Sequence, residues 1–187
     1  MPDLSEILVD ASAKMAKAIE VAKEDFGAIR TGRAHPGMFS KIMVDYYGTL
    51  TPLAQLASFQ VPEARMALVS PYDKSAMELI ERAIRESDLG VNPATDGAVI
   101  RVNFPQLTEE RRKDYIKVAR GKAEDSKISI RNIRRAAMDL MAKMEKDGDV
   151  GKDDIARSEK DLEKITTEHV NEIDKLLKHK ETELLEV

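Results

Sequence analysis

Residues 108–148 read TEERRKDYIKVARGKAEDSKISIRNIRRAAMDLMAKMEKDG. Within them Ile116, Ala119, Ala123, Ser126, Ile130, Ile133, Ala137, Leu140 and Met144 recur in alternating steps of three and four, the period of one face of a helix. Thr108 is placed to cap the start, with Glu109 and Glu110 against the positive helix end. Asp147-Gly148 is a stop signal. A helix of about 40 residues is roughly 60 Å long, so its apolar stripe needs partners of similar length.

Two flanking segments supply them. One runs from Leu4 to Ile29, with Leu8, Ala11, Met15, Ala18, Ala22, Phe26 and Ile29 on one side. The other begins after Gly151 with Asp153 as its expected cap, and carries Ile155, Leu162, Ile165, Val170, Ile173, Leu177 and Leu184. Sustained three-four spacing in three segments predicts a long antiparallel three-helix bundle packed at shallow angles.

Residues 31–105 differ in kind. They hold six of the seven prolines and six of the eight Phe and Tyr residues. Ile42, Val44 and Tyr46 alternate with Met43, Asp45 and Tyr47, which is strand periodicity. Leu56–Val61, Ala67–Ser70 and Ala98–Val102 are further strand candidates. Asp73 can cap a helix bearing Met77, Ile80, Ala83 and Ile84 that ends near Gly90, and Thr95-Asp96-Gly97 reads as a turn. The prediction is a discontinuous bundle domain (1–30 plus 106–187) interrupted by a small β/α/β domain (31–105), an α+β protein of two domains. The crossings at Arg30-Thr31-Gly32-Arg33 and Phe104-Pro105-Gln106 are short and paired, as a hinge requires.

The chain of 187 residues is 34% charged and 4% aromatic, with neither Trp nor Cys. Lack of Cys removes disulfides and thiolate chemistry, and it fits a reducing compartment. Apolar runs fall short of the roughly 18 residues that cross a bilayer. Met1-Pro2-Asp3 opens neither a signal peptide nor a transit sequence, so a cytoplasmic protein is expected. Net charge is −4, but it is unevenly distributed. Residues 106–135 hold 10 basic and 5 acidic side chains, whereas residues 136–187 hold 9 and 15. A basic segment inside an acidic protein points to an anionic partner.

That charge is ordered. Lys113, Lys117, Arg120, Lys127, Arg131 and Arg134 keep the three-four spacing one face round from the apolar stripe, with Glu124 in the gap and Arg135 beside Arg131. Guanidiniums crowded within one turn repel one another unless an anion neutralises them, and their planar forks suit phosphate. With only Tyr115 nearby, base stacking is not expected; backbone recognition of a folded RNA fits better. A merely solvated charged face is the competing reading, although such faces usually mix signs. Catalysis has no support: His35, His169 and His179 are scattered, and neither a Gly-rich phosphate loop nor a nucleophile elbow occurs. His169, on the apolar stripe, reads as a packed histidine. No cofactor or metal is expected.

Several blocks together resemble the ribosome recycling factor family. They are Arg30-Thr31-Gly32-Arg33-Ala34, Asp45-Tyr46-Tyr47-Gly48, Gln55-Leu56-Ala57-Ser58, Ser87-Asp88-Leu89-Gly90-Val91-Asn92-Pro93, Ile100-Arg101-Val102, Leu107-Thr108-Glu109-Glu110-Arg111-Arg112 and Ile130-Arg131-Asn132-Ile133-Arg134-Arg135. They stand in family order over essentially the whole chain; His35 departs from the pattern, where a smaller polar residue is expected. The resemblance implies an L-shaped monomer with a hinge between its domains. It implies a non-enzymatic factor that binds the large ribosomal subunit of post-termination complexes and, with elongation factor G and GTP, separates the subunits. It also implies that Arg134 is the main ribosomal RNA contact, supported by Arg131, Arg135, Arg112, Arg30 and Arg33. A helical adaptor whose rod binds protein is the rival from another class; an enzyme housed in the insert is a remoter one.

Overall fold

The computed structural model describes residues 3–186. In chain order, α1 (Leu4–Gly27) is followed by a 3₁₀ turn at Pro36–Phe39, then β1 (Met43–Tyr46) and β2 (Thr49–Pro52). A single helical turn, α2 (Leu53–Leu56), leads to β3 (Ala57–Glu63) and β4 (Met66–Pro71). A second 3₁₀ turn at Lys74–Ala76 runs into α3 (Met77–Glu86), and β5 (Asn92–Asp96) and β6 (Val99–Asn103) follow. The chain ends in α4 (Glu109–Asp147) and α5 (Lys152–Leu185). Two compact units result: Met1–Phe26 with Val118–Lys180, and Gly27–Lys117 with Glu181–Val187.

The first unit is the helix bundle. Asp3 and Glu6 cap α1 reciprocally: the Glu6 amide donates to the Asp3 carboxylate at 2.8 Å and the Asp3 amide to the Glu6 carboxylate at 3.0 Å, which satisfies two orphan donors. Helix α4 stops where expected. Gly148, at φ +77°, is in the left-handed region; its amide donates to the Glu145 carbonyl at 3.1 Å and that of Asp149 to Met144 at 3.0 Å, so the last carbonyls are satisfied. Leu4 and Leu8 line one hollow with Met144 and Val150, and Ala11 lines another with Ala137, so α1 is antiparallel to α4. Arg134 meets Glu163, and Lys127 meets Asp174, so α5 is antiparallel to α4 too.

Differences of detail have physical causes. Helix α1 ends at Gly27, before Ile29, and buries Ile7 and Ile19, while Leu8 and Ala18 are half-buried. Asp153 lies inside the first turn of α5, and the Gly151 carbonyl accepts from Asp154 and Ile155, both at 3.1 Å. Leu140, expected in the core, is 46% exposed, and Met141 is fully buried instead. A strict seven-residue repeat drifts about 20° per heptad on a straight helix. After three heptads Leu140 has rotated out and its neighbour has rotated in.

The second unit is a four-stranded antiparallel sheet ordered β3-β4-β6-β5, plus the β1-β2 hairpin. Tyr47 (φ +50°) and Gly48 (φ +81°) turn that hairpin, both left-handed as a tight two-residue turn demands. Ile80 and Ile84 of α3 join Val44, Leu53, Val69, Ile100 and Val102 in its core, all 0–1% exposed. Phe39 stacks on Phe59 with centroids 5.1 Å apart and meets Phe104 edge-on at 6.1 Å. Asp73 accepts from the Ser75 amide at 2.9 Å, starting the helical segment, and from the hydroxyls of Tyr46 at 2.7 Å and Ser75 at 2.8 Å. The Tyr46 hydrogen bond, then those from Ser75, hold the Asp73 carboxyl below its ordinary value, while the same contact raises the Tyr46 phenol.

Two measurements check this account. Met141→Ala is expected to cost about 2–5 kcal/mol in urea unfolding, and Leu140→Ala to stay within about 0.5 kcal/mol; the reverse order would put the repeat back in strict heptads. The stabilisation from Asp73 is present above the pKa of its unfolded form and is lost as pH falls through the lower folded value. Asp73→Asn therefore flattens the acid side of the stability–pH curve, most visibly below about pH 4.

Candidate nucleic-acid interface

On α4 each residue advances roughly 100° about the axis, so Lys127, Arg131, Arg134 and Arg135 fall within about 100° of one another. Buried Ala123, Ile130 and Ala137 mark the core direction, a quarter-turn to one side. Lys127 and Arg134 lie on the core-proximal edge of the basic face and Arg131 and Arg135 on its outer edge. That placement decides their contacts. Lys127, whose side chain is only 18% exposed, pairs with Asp174 of α5, and Arg134 pairs with Glu163 of α5 at 2.8 Å. Arg131 pairs along its own helix with Glu124 at 3.1 Å. Arg135 is exposed. Arg131, Arg134 and Arg135, with Ile128, Asn132 and Met138, line a shallow hollow of about 470 Å³. Three guanidiniums on an open concavity, with an amide donor between them, can take several phosphate oxygens at once.

The bundle unit thus brings together Lys127, Arg131, Arg134 and Arg135, with Arg120 exposed two turns before Lys127. Ile128, Asn132 and Met138 in the hollow were not anticipated; their only signal was helical adjacency to the arginines. Glu163 and Asp174 were also not anticipated. Counting outward along α4 and α5 from the Gly148–Gly151 turn brings Arg134 and Lys127 opposite Ile165 and Glu172, each within one turn of the carboxylate it meets. His169 is half-buried with Nδ1 2.7 Å from the Ile165 carbonyl, a packed histidine bonded to its own helix.

The remaining candidates belong to the second unit. Lys113 and Lys117 are exposed on the first turns of α4. Lys113 pairs with Glu109 at 2.8 Å, and their hydrogen bond raises the lysine and lowers the carboxyl from their ordinary values. Thr108 caps this end, accepting from the Arg111 amide at 3.2 Å. Arg112 is half-buried and Arg33 exposed.

Arg30 is different: it is 4% exposed. Its guanidinium donates to the carbonyls of Leu89 at 2.9 Å, Gly90 at 3.1 Å and Pro105, and lies over the Phe104 ring at 5.7 Å. Burial, with Arg111 nearby, pulls its pKa below the usual guanidinium value. The contact to Pro105 ties the two crossings together. Amides on either side, Ala34 and Phe104, donate to the carbonyls of Ala64 (2.7 Å) and Arg65 (2.9 Å) in the β3–β4 turn. Thr31 and Phe104 are buried, Gly32 is half-buried, and Pro105 and Gln106 are exposed. Arg30 therefore faces backbone, whereas the α4 arginines face solvent.

Residues 22–185 match the family described as ribosome recycling factor. The chain is 64% identical to the ribosome-recycling factor of Streptomyces avermitilis and 62% identical to that of Streptomyces coelicolor, over 98% of this chain and all of each relative. A solution structure of ribosome recycling factor superposes over both whole chains with a TM-score of 0.76 at 35% identity. A second neighbour, at TM-score 0.69 and 39% identity over 99% of this chain and all of its own, comes from models of the T. thermophilus ribosome recycling factor and the E. coli elongation factor G bound to the E. coli post-termination complex.

Arg30→Ala leaves three backbone carbonyls without their donor, so it is expected to destabilise by about 1–3 kcal/mol. Arg33→Ala, at an exposed position, should stay within about 0.5 kcal/mol. Parallel urea titrations compare them, and equal effects would remove Arg30 from its structural role.

Proposed function

This chain belongs to the ribosome recycling factor family, and from that premise we propose that it binds the large ribosomal subunit after termination through ribosomal RNA and, with elongation factor G and GTP, helps split the ribosome. The observation that carries the RNA contact is the face of α4 on which Arg131, Arg134 and Arg135 line one open hollow. Phosphate backbone is the fitting partner, because the face supplies forked donors and no aromatic ring for a base to stack on. The second neighbour supports the wider assignment, since a recycling factor and elongation factor G occur there together on a post-termination complex.

In this reading the protein acts by binding and by moving, as a cytoplasmic monomer without catalysis of its own; the GTPase supplies the free energy. Lys127, Arg131, Arg134 and Arg135 anchor the bundle, with Arg120, Lys117, Lys113 and Arg112 extending the basic row and Arg33 adding charge at the crossing. The residues 30–33 and 104–106 form the hinge about which the domain of 31–105 swings. Arg30 contributes from within, by holding the two crossing strands to each other, so they would move as one joint. Among the described residues no helix is long and apolar enough to cross a membrane.

Sedimentation with purified large subunits across a salt series tests the reading. Binding should weaken steeply with salt, as counterion release requires. Arg134→Glu should abolish it with helicity and melting nearly unchanged. Arg134→Gln, which does not set two carboxylates face to face at Glu163, should weaken binding about tenfold or more. Salt-insensitive binding, or full binding by both variants, would favour the protein-binding adaptor instead.

A further inference from the structure

Three of the four clustered cations of the α4 face are already met by carboxylates. Arg134 touches Glu163, Lys127 touches Asp174 and Arg131 touches Glu124. Two of these carboxylates come from a neighbouring helix, and they sit on one face of α5: an advance of eleven residues is almost three whole turns. Their cations also share one face of α4, about two turns apart, and the long Lys127 and Arg134 side chains span the difference to reach their carboxylates. Carboxylates are plentiful on α5, yet Glu168, between the two, points elsewhere by helical geometry, about 140° round from Glu163.

We propose that Glu163, Asp174 and Glu124 are specificity determinants of the RNA-binding face: they mask its cations from phosphates in general and hold the side chains where a folded RNA can claim them. The inference rests on the RNA-binding role proposed above and deepens it. A bare row of Lys and Arg attracts any polyanion, because sequence-independent affinity comes from neutralised phosphates and released counterions. A carboxylate at contact distance competes for the same guanidinium. An incoming phosphate gains only the difference between the two partners, so a flexible RNA placing one phosphate at a time gains little. A folded RNA with phosphates fixed at the right spacing meets all the cations together, and finds them already oriented. Two of the pairs are exposed enough to open: the Arg134 and Glu163 side chains are 43% and 55% exposed, those of Arg131 and Glu124 55% and 56%; Lys127, at 18%, is the most enclosed of the three cations. They are close enough to orient, and they contribute little to folding, as exposed pairs generally do.

The test uses the full chain carrying Glu124→Gln, Glu163→Gln and Asp174→Asn together, beside wild type and a Glu168→Gln control that removes a carboxylate outside the row. Each is titrated with single-stranded polyuridylate and with purified large subunits, at several salt concentrations. With each exposed pair competing by roughly two- to fivefold, the triple variant should bind polyuridylate about tenfold or more tightly, with a steeper salt dependence. Its affinity for large subunits should change less than about threefold, so that discrimination falls. Glu168→Gln should leave both affinities within about twofold, and the variant's melting curve should match wild type. Affinity rising by the same factor on both ligands, or by the same factor per charge in the control, would reduce the carboxylates to bulk charge and overturn the proposal. So would unchanged polyuridylate binding. If wild type fails to bind large subunits, the recycling reading falls in that arm alone, and the polyuridylate comparison still decides whether the cations are masked.

Discussion

A helix of 39 residues cannot bury its own apolar stripe, and that constraint organises the bundle. Ala119, Ala123, Ile130, Ala137, Met141 and Met144 are buried along α4 only because α1 and α5 run antiparallel to it. Small residues at three of these positions let backbones approach closely. The larger ones, Ile130 and Met141, fill the core at 0% exposure. Burial of a narrow stripe leaves most of the circumference of α4 in water. The basic face is thus free to serve a partner while the core keeps its geometry.

The same helix shows how the core fixes the charges. Whether an arginine lies on the core-proximal or the outer edge is set by its angular distance from Ile130. This is why Arg134 reaches α5 and Arg131 does not. Buried Arg30 follows the opposite logic. A guanidinium out of water must have its donors met, and three carbonyls meet most of them, leaving Nε unpartnered among the described residues. Arginine here serves two ends by one property, a rigid fork of donors. In the open it suits phosphate; when buried it fastens strands of irregular backbone that have no ladder of their own.

Much of this was legible in the residue order. Helical periods, the Thr108 cap and the stop at Gly148 are local signals, and each appears in place. Two strands were not anticipated. β2, Thr49-Leu50-Thr51-Pro52, is only four residues long and ends in proline. β5, Asn92–Asp96, holds Pro93 and residues typical of turns, yet it pairs with β6 along its whole length. Pairing with a strongly apolar neighbour overrode weak local preference, and sequence order alone does not reveal the neighbour. The strand order β3-β4-β6-β5 was illegible for the same reason. Division of the chain is subtler still. The compact units part within α4 after Lys117 and within α5 after Lys180, where the helical pattern gives no sign.

In the candidate site the cations were legible in the sequence and their anionic partners were not. The row of Lys and Arg at helical spacing marks the candidate face in the sequence, and carboxylates of the chain itself relieve the repulsion among its cations. Glu163 and Asp174 carry no comparable mark on an acidic helix rich in carboxylates. The angular position on α5, together with its antiparallel register against α4, distinguishes them from Glu168. Counting outward from the Gly148–Gly151 turn sets Arg134 and Lys127 opposite Ile165 and Glu172, close to Glu163 and Asp174 without singling them out. Their meaning also depends on the partner chosen: against a protein partner they are ordinary surface pairs, and against RNA they compete directly with the ligand. The strength of a basic face is therefore poorly measured by its cations alone. What an RNA experiences is the excess of those cations over the carboxylates within reach, and that excess is set by how two helices pack.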